Sequence, residues 1–355
     1  MRKTVGLYLH VPFCDAKCAY CDFYSAPADR DTKAAYTAAL CRELERWVRE
    51  GQLQFDTVYL GGGTPTLLGD DNLKTLLAAV LPHTASNAEI TCEANPASAL
   101  ESTLRVLADG GVNRVSFGLQ SCHANELAAL GRRHTAADFS KAVHAANTVG
   151  IARISADVML GIPQQTHQSL EQTLQFVLSH PIQHVSAYLL KLEDGTPLAK
   201  SPPPLPDEDT VCDLYLHTCD TLRSAGLQRY EISNFAVSGQ ESRHNLRYWQ
   251  CREYLGLGPA AHSFLNGRRF YLPRDLQAFV TAPQYTDDGA GGDTEEKMML
   301  GLRLADGIDR RMLPDPAAAE RLCKGGLLAS DGNRIWLTDR GALVSNAVIT
   351  DLICS

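Results

Sequence analysis

The sequence predicts an α/β protein: a partial (β/α)6 barrel, then a C-terminal accessory region that ends in a winged-helix-like module. Two observations support this fold class. From Val5 to about Leu190, short apolar runs alternate with amphipathic segments at a regular interval, which is typical of alternating strands and helices. Chemically distinctive residues stand where these apolar runs end, which is where parallel barrels place their sites.

Six apolar runs are predicted to be the parallel strands of the barrel, which we assign to residues 1–199. The amphipathic segments between them, such as 32–50 and 136–148, are predicted to be helices. The predicted strands are 5–10, 56–61, 88–93, 114–119, 154–160 and 184–190.

The alternation stops at residues 200–206, Lys-Ser-Pro-Pro-Pro-Leu-Pro. Consecutive prolines favour polyproline II and cannot enter a helix interior, so we predict a stiff linker here. An accessory segment, 207–285, follows the linker. It contains a predicted helix, 207–224, and an irregular stretch rich in aromatic residues and glycine, 228–273.

Residues 286–355 are predicted to form the winged-helix-like module, which we interpret as structural. The module begins with a surface loop rich in Asp and Gly, 287–292. Two helices, a small hairpin and a last helix follow, at 294–304, 316–324, 327–329, 335–337 and from Asp339 onward.

Composition limits the classes of function. The chain has 355 residues and a formal net charge of −8. Its Lys and Arg residues are dispersed, so we expect no nucleic-acid partner. No apolar stretch approaches the roughly 18 residues needed to span a bilayer, and no signal-peptide pattern precedes the first strand, so we expect a cytoplasmic protein. The eleven cysteines form no disulfide framework, which favours reduced thiols.

Three cysteines, Cys14, Cys18 and Cys21, lie close together just after the first predicted strand. Thiolates at this spacing can face one point only if the backbone curls around it, as it does in iron–sulfur loops. Zinc is the alternative, but structural zinc takes four ligands, and no second Cys or His pair follows in the adjoining loops. A cubane cluster usually takes four thiolates, so three would leave one iron open to another ligand.

A run of three glycines, 61–63, follows the second predicted strand. Because glycine lacks a Cβ, such a run lets the main chain approach a ligand closely. The alternative is that the glycines only form a tight turn between strand and helix. The position directly after a strand, in the same chain as the three cysteines, favours the ligand interpretation.

Two carboxylates and one guanidinium are further candidates for a binding site. Glu93 ends the third predicted strand and Asp157 lies within the fifth, where an unpaired charge would be costly. Each should therefore have a polar partner, and for Asp157 an internal ion pair with Arg153 is the alternative. Arg132 could bind a ligand carboxylate with two parallel hydrogen bonds, which Lys would do poorly.

Several motifs in order resemble the radical S-adenosylmethionine (SAM) superfamily, and within it the branch similar to oxygen-independent coproporphyrinogen III oxidase. They lie at 8–14, 14–21, 61–66, 93–96, 116–121, 157 and 161–163. The resemblance implies a [4Fe–4S] cluster on Cys14, Cys18 and Cys21, with SAM beside it. The positions that match SAM contacts are Tyr8, Tyr20, Gly62, Gly63, Thr64, Glu93, Gln120, Arg132 and Asp157.

Within that branch, three features resemble the HemW haem-chaperone family. Phe23 stands where the decarboxylating oxidase has a further cysteine, and only thirteen residues precede the first cysteine, where the oxidase has a long extension. The third feature is a His-Asn-x-x-Tyr-Trp motif. A histidine and two large aromatic rings could ligate haem iron and pack on the macrocycle, or could simply fix the segment to the core. The motif residues are His244, Asn245, Tyr248 and Trp249.

This family resemblance implies a haem chaperone that carries haem as cargo and passes it to acceptor haemoproteins, with a HemN-like C-terminal module at 286–355. It allows a homodimer, an electron donor, and delivery to membrane-bound cytochromes by a protein peripheral to the membrane. The alternative is a radical SAM enzyme acting on a porphyrin-type substrate: a decarboxylase, a methyltransferase or a macrocycle-opening enzyme. Phe23 argues against coproporphyrinogen oxidase activity, and no catalytic residue is assigned.

Overall fold

Six parallel strands in chain order form the centre of the protein, which the computed structural model describes over residues 2–353. Each strand pairs in parallel with the next one along the chain. The prediction of six parallel strands is confirmed. The strands are β1 (Lys3–Val11), β2 (Leu53–Gly62), β3 (Thr84–Ala94), β4 (Arg114–Gln120), β5 (Arg153–Leu160) and β6 (His184–Leu189).

Helices connect the strands, and side-chain caps fix where several of them begin. Asp29 accepts a hydrogen bond from the Thr32 amide at 2.8 Å, and Thr135 and Asp138 form a capping box. The helices are α1 (Arg30–Gly51), α2 (Asp70–Val80), α3 (Glu101–Asp109), α4 (Ala124–Ala129), α5 (Ala136–Thr148), α6 (His167–Leu178), α7 (Pro197–Lys200) and α8 (Glu208–Ser224). Single 3-10 turns lie at Pro65–Leu68, Leu81–His83, Pro96–Ser98 and Arg310–Met312.

Side chains alternate along the strands between an apolar outer face and a polar inner face. Leu7 and Leu9 on β1, and Val58 and Leu60 on β2, are fully buried on the outer face. The inner face lines what we call the lumen. Its polar residues are Tyr8, His10, Thr57, Tyr59, Glu89, Thr91, Glu93, Arg114, Ser116, Ser155, Asp157, His184 and Ser186.

The sheet is curved, so that inner-face residues of distant strands influence one another. The Tyr230 hydroxyl lies 2.8 Å from Nε2 of His184 on β6 and 3.3 Å from the Ser242 amide, while His244, two residues after Ser242, lies 2.9 Å from the Thr57 hydroxyl on β2. In a flat sheet, strands three or four positions apart would be separated by roughly 14 to 19 Å. The lumen therefore gathers side chains from the whole barrel into one site.

The accessory segment extends the same sheet at both of its edges. On one edge β9 pairs in parallel with β1, and β10, β11 and β12 continue the sheet antiparallel; on the other, β8 pairs antiparallel with β6. Among the described residues the sheet has twelve strands. The added strands are β7 (Gln228–Arg229), β8 (Asn234–Ala236), β9 (Tyr254–Leu257), β10 (His262–Leu265), β11 (Arg268–Tyr271) and β12 (Thr286–Ala290).

Two expectations from the sequence are wrong in this region. The stretch 228–273 is not simply irregular, and the predicted surface loop 287–292 begins within β12. Strand β12 pairs with β11, and the Arg268 and Asp287 side chains form an ion pair across these two strands. These strands have only two to five residues, too few for an alternation of apolar and polar residues to be visible.

The C-terminal part holds a separate antiparallel sheet of three strands in the order β13, β15, β14. Predicted helices at 294–304 and 316–324 are observed as α11 and α12, while the module boundary at 286 and its winged-helix character stay predictions. After α9 (Arg243–Trp249) and α10 (Leu276–Thr281), the elements are α11 (Thr294–Gly301), β13 (Ile308–Asp309), α12 (Pro316–Lys324), β14 (Leu328–Ser330), β15 (Arg334–Leu337), α13 (Asp339–Leu343) and α14 (Ser345–Ile353).

The proline-rich stretch lies between α7 and α8. Residues 201–206 form neither helix nor strand, while Lys200, the first residue of the predicted linker, is the last residue of α7. None of the helices within residues 2–353 is long and apolar enough to cross a bilayer.

Helix α9 and the loop before it cover the end of the lumen at which the strands begin. Arg114 and Arg153, the first residues of β4 and β5, both donate hydrogen bonds to Gln240. Glu89 is fully buried there: it accepts the His244 amide at 3.1 Å and lies 3.0 Å from the Arg153 guanidinium. The buried Glu89 carboxylate thus joins α9, which forms the floor of the lumen, to the strands.

Replacing Glu89 with Ala should destabilise the protein by about 3 to 5 kcal/mol, because the partner Arg153 would be left as an uncompensated, partly buried charge. The control is Glu101→Ala, which removes an exposed pair with Arg105 and should cost less than about 1 kcal/mol. The free energy of unfolding, measured by urea denaturation, checks both values. Equal losses in the two variants would contradict the role given to Glu89.

Candidate functional site

The three predicted cluster cysteines lie on a loop, residues 12–29, that follows β1; we call it the Cys loop. Its two ends are tied together, since the Cys14 amide donates to the Ala26 carbonyl at 3.2 Å and the Ala26 amide donates to Pro12 at 3.1 Å. The Cys21 amide donates to the Cys18 carbonyl, which curls the middle of the loop. All three thiols are partly exposed.

The cysteine thiols share one neighbourhood. Burial raises the pKa of Cys21, and the charges of Cys18 and Cys14 raise it further. Within residues 2–353, no three His, Cys, Asp or Glu side chains stand close enough to hold a single metal ion. A cubane cluster offers a separate iron to each thiolate, so its ligands stand further apart than those of one ion. Three thiols on one curled, accessible loop fit such a cluster.

Arg132 joins the Cys loop to the barrel. Its guanidinium lies 3.5 Å from the Cys18 sulfur and also donates to the carbonyl of Gly118 on β4. Tyr20 lies close by. Burial raises the pKa of its hydroxyl, the charge of Arg132 opposes this shift, and the thiols of Cys18 and Cys21 add to it. The predicted SAM contacts Arg132 and Tyr20 are therefore brought next to the cluster cysteines.

The glycine run at the end of β2 packs against the Cys loop. The Gly63 amide donates to Val11 and the Thr64 amide to Phe13, both at 2.8 Å, and the Thr64 hydroxyl lies 3.5 Å from the Cys14 sulfur. A Cβ on Gly63 would come within 2.5 Å of the Phe13 carbonyl oxygen. The glycine is needed here because another backbone approaches, which is a reason that the sequence alone did not show.

Glu93 lies inside the lumen at the end of β3. It accepts hydrogen bonds from the Tyr59 hydroxyl at 2.8 Å and from the Gly62 amide at 3.2 Å, and Gly62 adopts a φ of 105°. Burial raises the pKa of Glu93 to about 7; the charge of Asp157 adds to this, and the Tyr59 hydrogen bond opposes it. Near neutral pH this carboxyl is poised between its two forms.

Asp157 faces the same lumen from β5. It accepts the Ser116 hydroxyl at 2.9 Å. Burial raises its pKa to about 6, while hydrogen bonds from Ser116 and Ser186 oppose the shift. The alternative partner from the sequence, Arg153, pairs with Glu89 instead. Asp157 therefore has neutral partners and keeps acceptor capacity for a ligand.

The remaining predicted SAM residues line the same region. The Tyr8 hydroxyl lies 3.0 Å from Nδ1 of His10, and His10 is held by the Tyr24 carbonyl at 2.9 Å. Gln120 is buried at the end of β4 with a left-handed φ of 68°. Sequence reasoning missed Tyr59, although its position two residues before Gly61 on the same face of β2 was a signal that could have identified it.

The His-Asn-x-x-Tyr-Trp motif lies on α9, on the floor of the lumen. His244 is fully buried; Nδ1 lies 2.9 Å from the Thr57 hydroxyl and Nε2 lies 2.7 Å from the Tyr248 hydroxyl. Trp249 lies against the Arg303 guanidinium, whose carbon is 4.3 Å from the ring centre. Asn245 is partly buried in the first turn of the helix. Both ring nitrogens of His244 are thus already engaged.

Comparison with known proteins assigns the family. The model of the radical SAM superfamily matches residues 8–177. The heme chaperone HemW of Bacillus subtilis (strain 168) is 32% identical, over 96% of this chain and 97% of that protein. The chain belongs to the HemW family. A HemW of Mycobacterium tuberculosis (strain CDC 1551 / Oshkosh) is 34% identical over 99% of this chain and 95% of its own.

A solved structure similar to this HemW-family chain is coproporphyrinogen III oxidase (HemN) from Escherichia coli, described as a radical SAM enzyme. Its TM-score is 0.82 at 20% identity, and the match covers 99% of this chain and 90% of that one. At this identity the likeness shows the fold alone, and it confirms the predicted α/β barrel fold, while the winged-helix-like end stays a prediction. Membership of the radical SAM superfamily implies a [4Fe–4S] cluster and SAM, which the Cys loop and the lumen fit.

Replacing Cys18 with Ser should abolish the brown iron–sulfur chromophore of the anaerobically reconstituted HemW-family protein, because one of three thiolates is lost. Cys323→Ser, on α12, which packs against β14 and α14, is the matched control and should keep the chromophore. Absorbance and iron content per chain measure the result. A full iron complement in the Cys18 variant would refute the ligand assignment.

Replacing Glu93 with Gln should stabilise the SAM-free protein increasingly as pH rises. The folded pKa of about 7 exceeds the ordinary value of 4.5, so ionisation costs stability between these values and above them. The amide cannot ionise, and the gain should reach about 3 kcal/mol at pH 8. Denaturation of both proteins at pH 5 and pH 8 measures the gain. The same difference at both pH values would contradict the raised pKa.

Proposed function

We propose that this protein is a haem chaperone that binds a [4Fe–4S] cluster and SAM, carries haem, and passes it to acceptor haemoproteins. The observation that carries the proposal is the similarity to heme chaperones HemW over nearly the whole length of both chains. Cys14, Cys18 and Cys21 would hold the cluster. SAM would lie between the Cys loop and the lumen, on Tyr8, Tyr20, Gly62, Gly63, Thr64, Glu93, Gln120, Arg132 and Asp157.

The chain's own groups would each serve SAM differently. Glu93 and Asp157 can accept hydrogen bonds from an ammonium or from ribose hydroxyls, and Arg132 can donate to a carboxylate. A cluster held by Cys14, Cys18 and Cys21 would supply an iron site for a chelating ligand and electrons for one-electron chemistry. Phe23, which follows the cysteines, is 62% exposed, so it presents an apolar ring at this surface.

Two places could receive haem. The sequence motif predicts haem on His244, Asn245, Tyr248 and Trp249, but iron ligation by His244 would first require one of its ring nitrogens to give up its hydrogen bond to Thr57 or Tyr248. The second place is an open groove of about 920 Å³ beside the Cys loop. Its volume is within the range of small-molecule sites.

The groove suits a flat apolar ligand with one metal-binding partner. Ala19 of the Cys loop, Leu198 of α7 and the prolines between α7 and α8 form its apolar walls. His167, the first residue of α6, also lines the groove; it is exposed, and its ring rests against His217 at 4.1 Å between ring centres. An accessible imidazole beside apolar walls could serve as an axial ligand of haem.

The cellular setting belongs to the same proposal. The protein would act in the cytoplasm and reach the membrane surface when the acceptor is a membrane-bound cytochrome. The family resemblance allows a homodimer, and an electron donor would be required if SAM is cleaved. The alternative, a radical SAM enzyme acting on a porphyrin-type substrate, would use the same cluster and lumen, so only product analysis separates the two.

The anaerobically reconstituted protein should bind haem stoichiometrically and transfer it to an apo-haemoprotein, without converting coproporphyrinogen III in the presence of SAM and reductant. Haem titration by absorbance and product analysis measure these outcomes. Conversion of coproporphyrinogen III would overturn the chaperone proposal in favour of the enzyme.

The haem site is tested in the same titration with histidine variants. His167→Ala should weaken haem binding if the groove holds haem, and His244→Ala should do so if the motif holds it. His144→Ala, an exposed histidine on α5, is the matched control. If neither His167→Ala nor His244→Ala changes haem affinity, both assignments of the axial ligand are wrong.

A further inference from the structure

Helix α9 places its histidine directly beneath a lumen tyrosine. The His244 ring stacks on the Tyr59 ring, with 5.3 Å between ring centres and 27° between planes. Thr57 and Tyr248 hold the imidazole from either side. Burial lowers the pKa of His244 to about 3, with Arg247 adding to the effect, so the ring is neutral and acts through its shape and hydrogen bonds.

Tyr59 connects this floor to the predicted SAM site. Its ring rests on His244 at one face, and its hydroxyl donates to the Glu93 carboxylate at 2.8 Å. Among residues 2–353, the one other protein group that donates to Glu93 is the Gly62 amide, at 3.2 Å. Glu93 therefore keeps both of its protein hydrogen bonds only while the Tyr59 ring stays in this position.

We propose that Tyr59, which stacks on His244 while Tyr248 holds His244 in turn, is a positioning residue for Glu93, so that the His-Asn-x-x-Tyr-Trp motif governs SAM binding from the floor of the lumen. The inference rests on the part of the proposed function that places SAM on Glu93. In this role His244 keeps its hydrogen bonds to Thr57 and Tyr248, whereas iron ligation by His244 would break one of them.

The Tyr59 hydroxyl, which is a neutral donor, affects the protonation state of Glu93. Burial and the Asp157 charge disfavour the ionised form of Glu93, and the Tyr59 hydrogen bond favours it. SAM donors prefer the ionised carboxylate as their acceptor. The titratable groups that act on this site are Tyr8 from β1, Tyr59 from β2, Asp157 from β5, Tyr188 from β6 and Tyr248 from α9.

The first experiment uses Tyr59→Phe, which keeps the ring and removes the hydroxyl. SAM affinity of the reconstituted protein, measured by calorimetry from pH 6 to pH 9, should fall about tenfold at pH 7. The pH at which SAM binding reaches half its maximum should move upward, because Glu93 loses a hydrogen bond that lowers its pKa. An unchanged affinity and an unchanged midpoint would overturn the proposal.

The matched control is Tyr254→Phe. Tyr254 belongs to the same aromatic cluster, with 4.5 Å between its ring centre and that of Tyr248, but its hydroxyl bonds Arg269 rather than Glu93. This variant should keep the affinity and the pH midpoint of the parent. A shift as large as that of Tyr59→Phe would mean that general packing, and not the hydroxyl on Glu93, sets SAM affinity.

The second experiment varies the support. His244→Ala should weaken SAM binding, and His244→Gln, whose amide can still bond Thr57 and Tyr248, should recover part of the loss. Haem titration of the same proteins separates this role from ligation. Loss of haem with unchanged SAM affinity in His244→Ala would overturn the proposal. If the parent protein bound no haem, the chaperone proposal would fail while the SAM measurements would still decide this one.

Discussion

Two carboxylates, Glu93 and Asp157, are buried in the lumen and take their protein hydrogen bonds from neutral donors: a tyrosine, a backbone amide and serine hydroxyls. Burying two carboxylates in one lumen costs free energy unless each has hydrogen-bond partners. The inner face of the sheet consequently carries polar residues along its whole length, while the outer face is apolar and packs on the helices. The binding site is the unfilled part of this polar interior.

The floor of the lumen follows from the same constraint. Helix α9 covers the end of the lumen at which the strands begin. It does so with residues that form hydrogen bonds rather than with apolar side chains. Glu89 pairs with Arg153 and caps the backbone of α9. Arg247 of the helix is buried and pairs with Asp56 of β2. The motif that suggested a haem site is therefore also part of the closure of the barrel.

The sequence predicts the barrel well because each strand is long enough to show its apolar face, and the first five each carry or precede a distinctive residue. It does not predict the edge strands β7 to β12, since two to five residues show no periodicity and depend on pairing with a neighbour. Gly63 illustrates a second limit: the glycine run is visible, but the close approach of the Phe13 carbonyl exists only in the folded chain.

The same limit applies to the site itself. Cys14, Cys18 and Cys21 are recognisable because their spacing is local, and Glu93 and Asp157 because a carboxylate in an apolar strand is unusual. Tyr59 is not distinctive in sequence, since an aromatic residue is ordinary in a strand. Its importance arises from contacts with His244, far along the chain, and with Glu93 on the neighbouring strand.

A crystal structure of the reconstituted protein with both SAM and haem tests the central claim most directly. Our account predicts SAM in hydrogen-bonding contact with Glu93, the Tyr59 hydroxyl still on that carboxylate, and His244 still bonded to Thr57 and Tyr248. Haem would then lie outside the lumen. Haem iron ligated by His244, with Tyr59 separated from Glu93, would contradict the account.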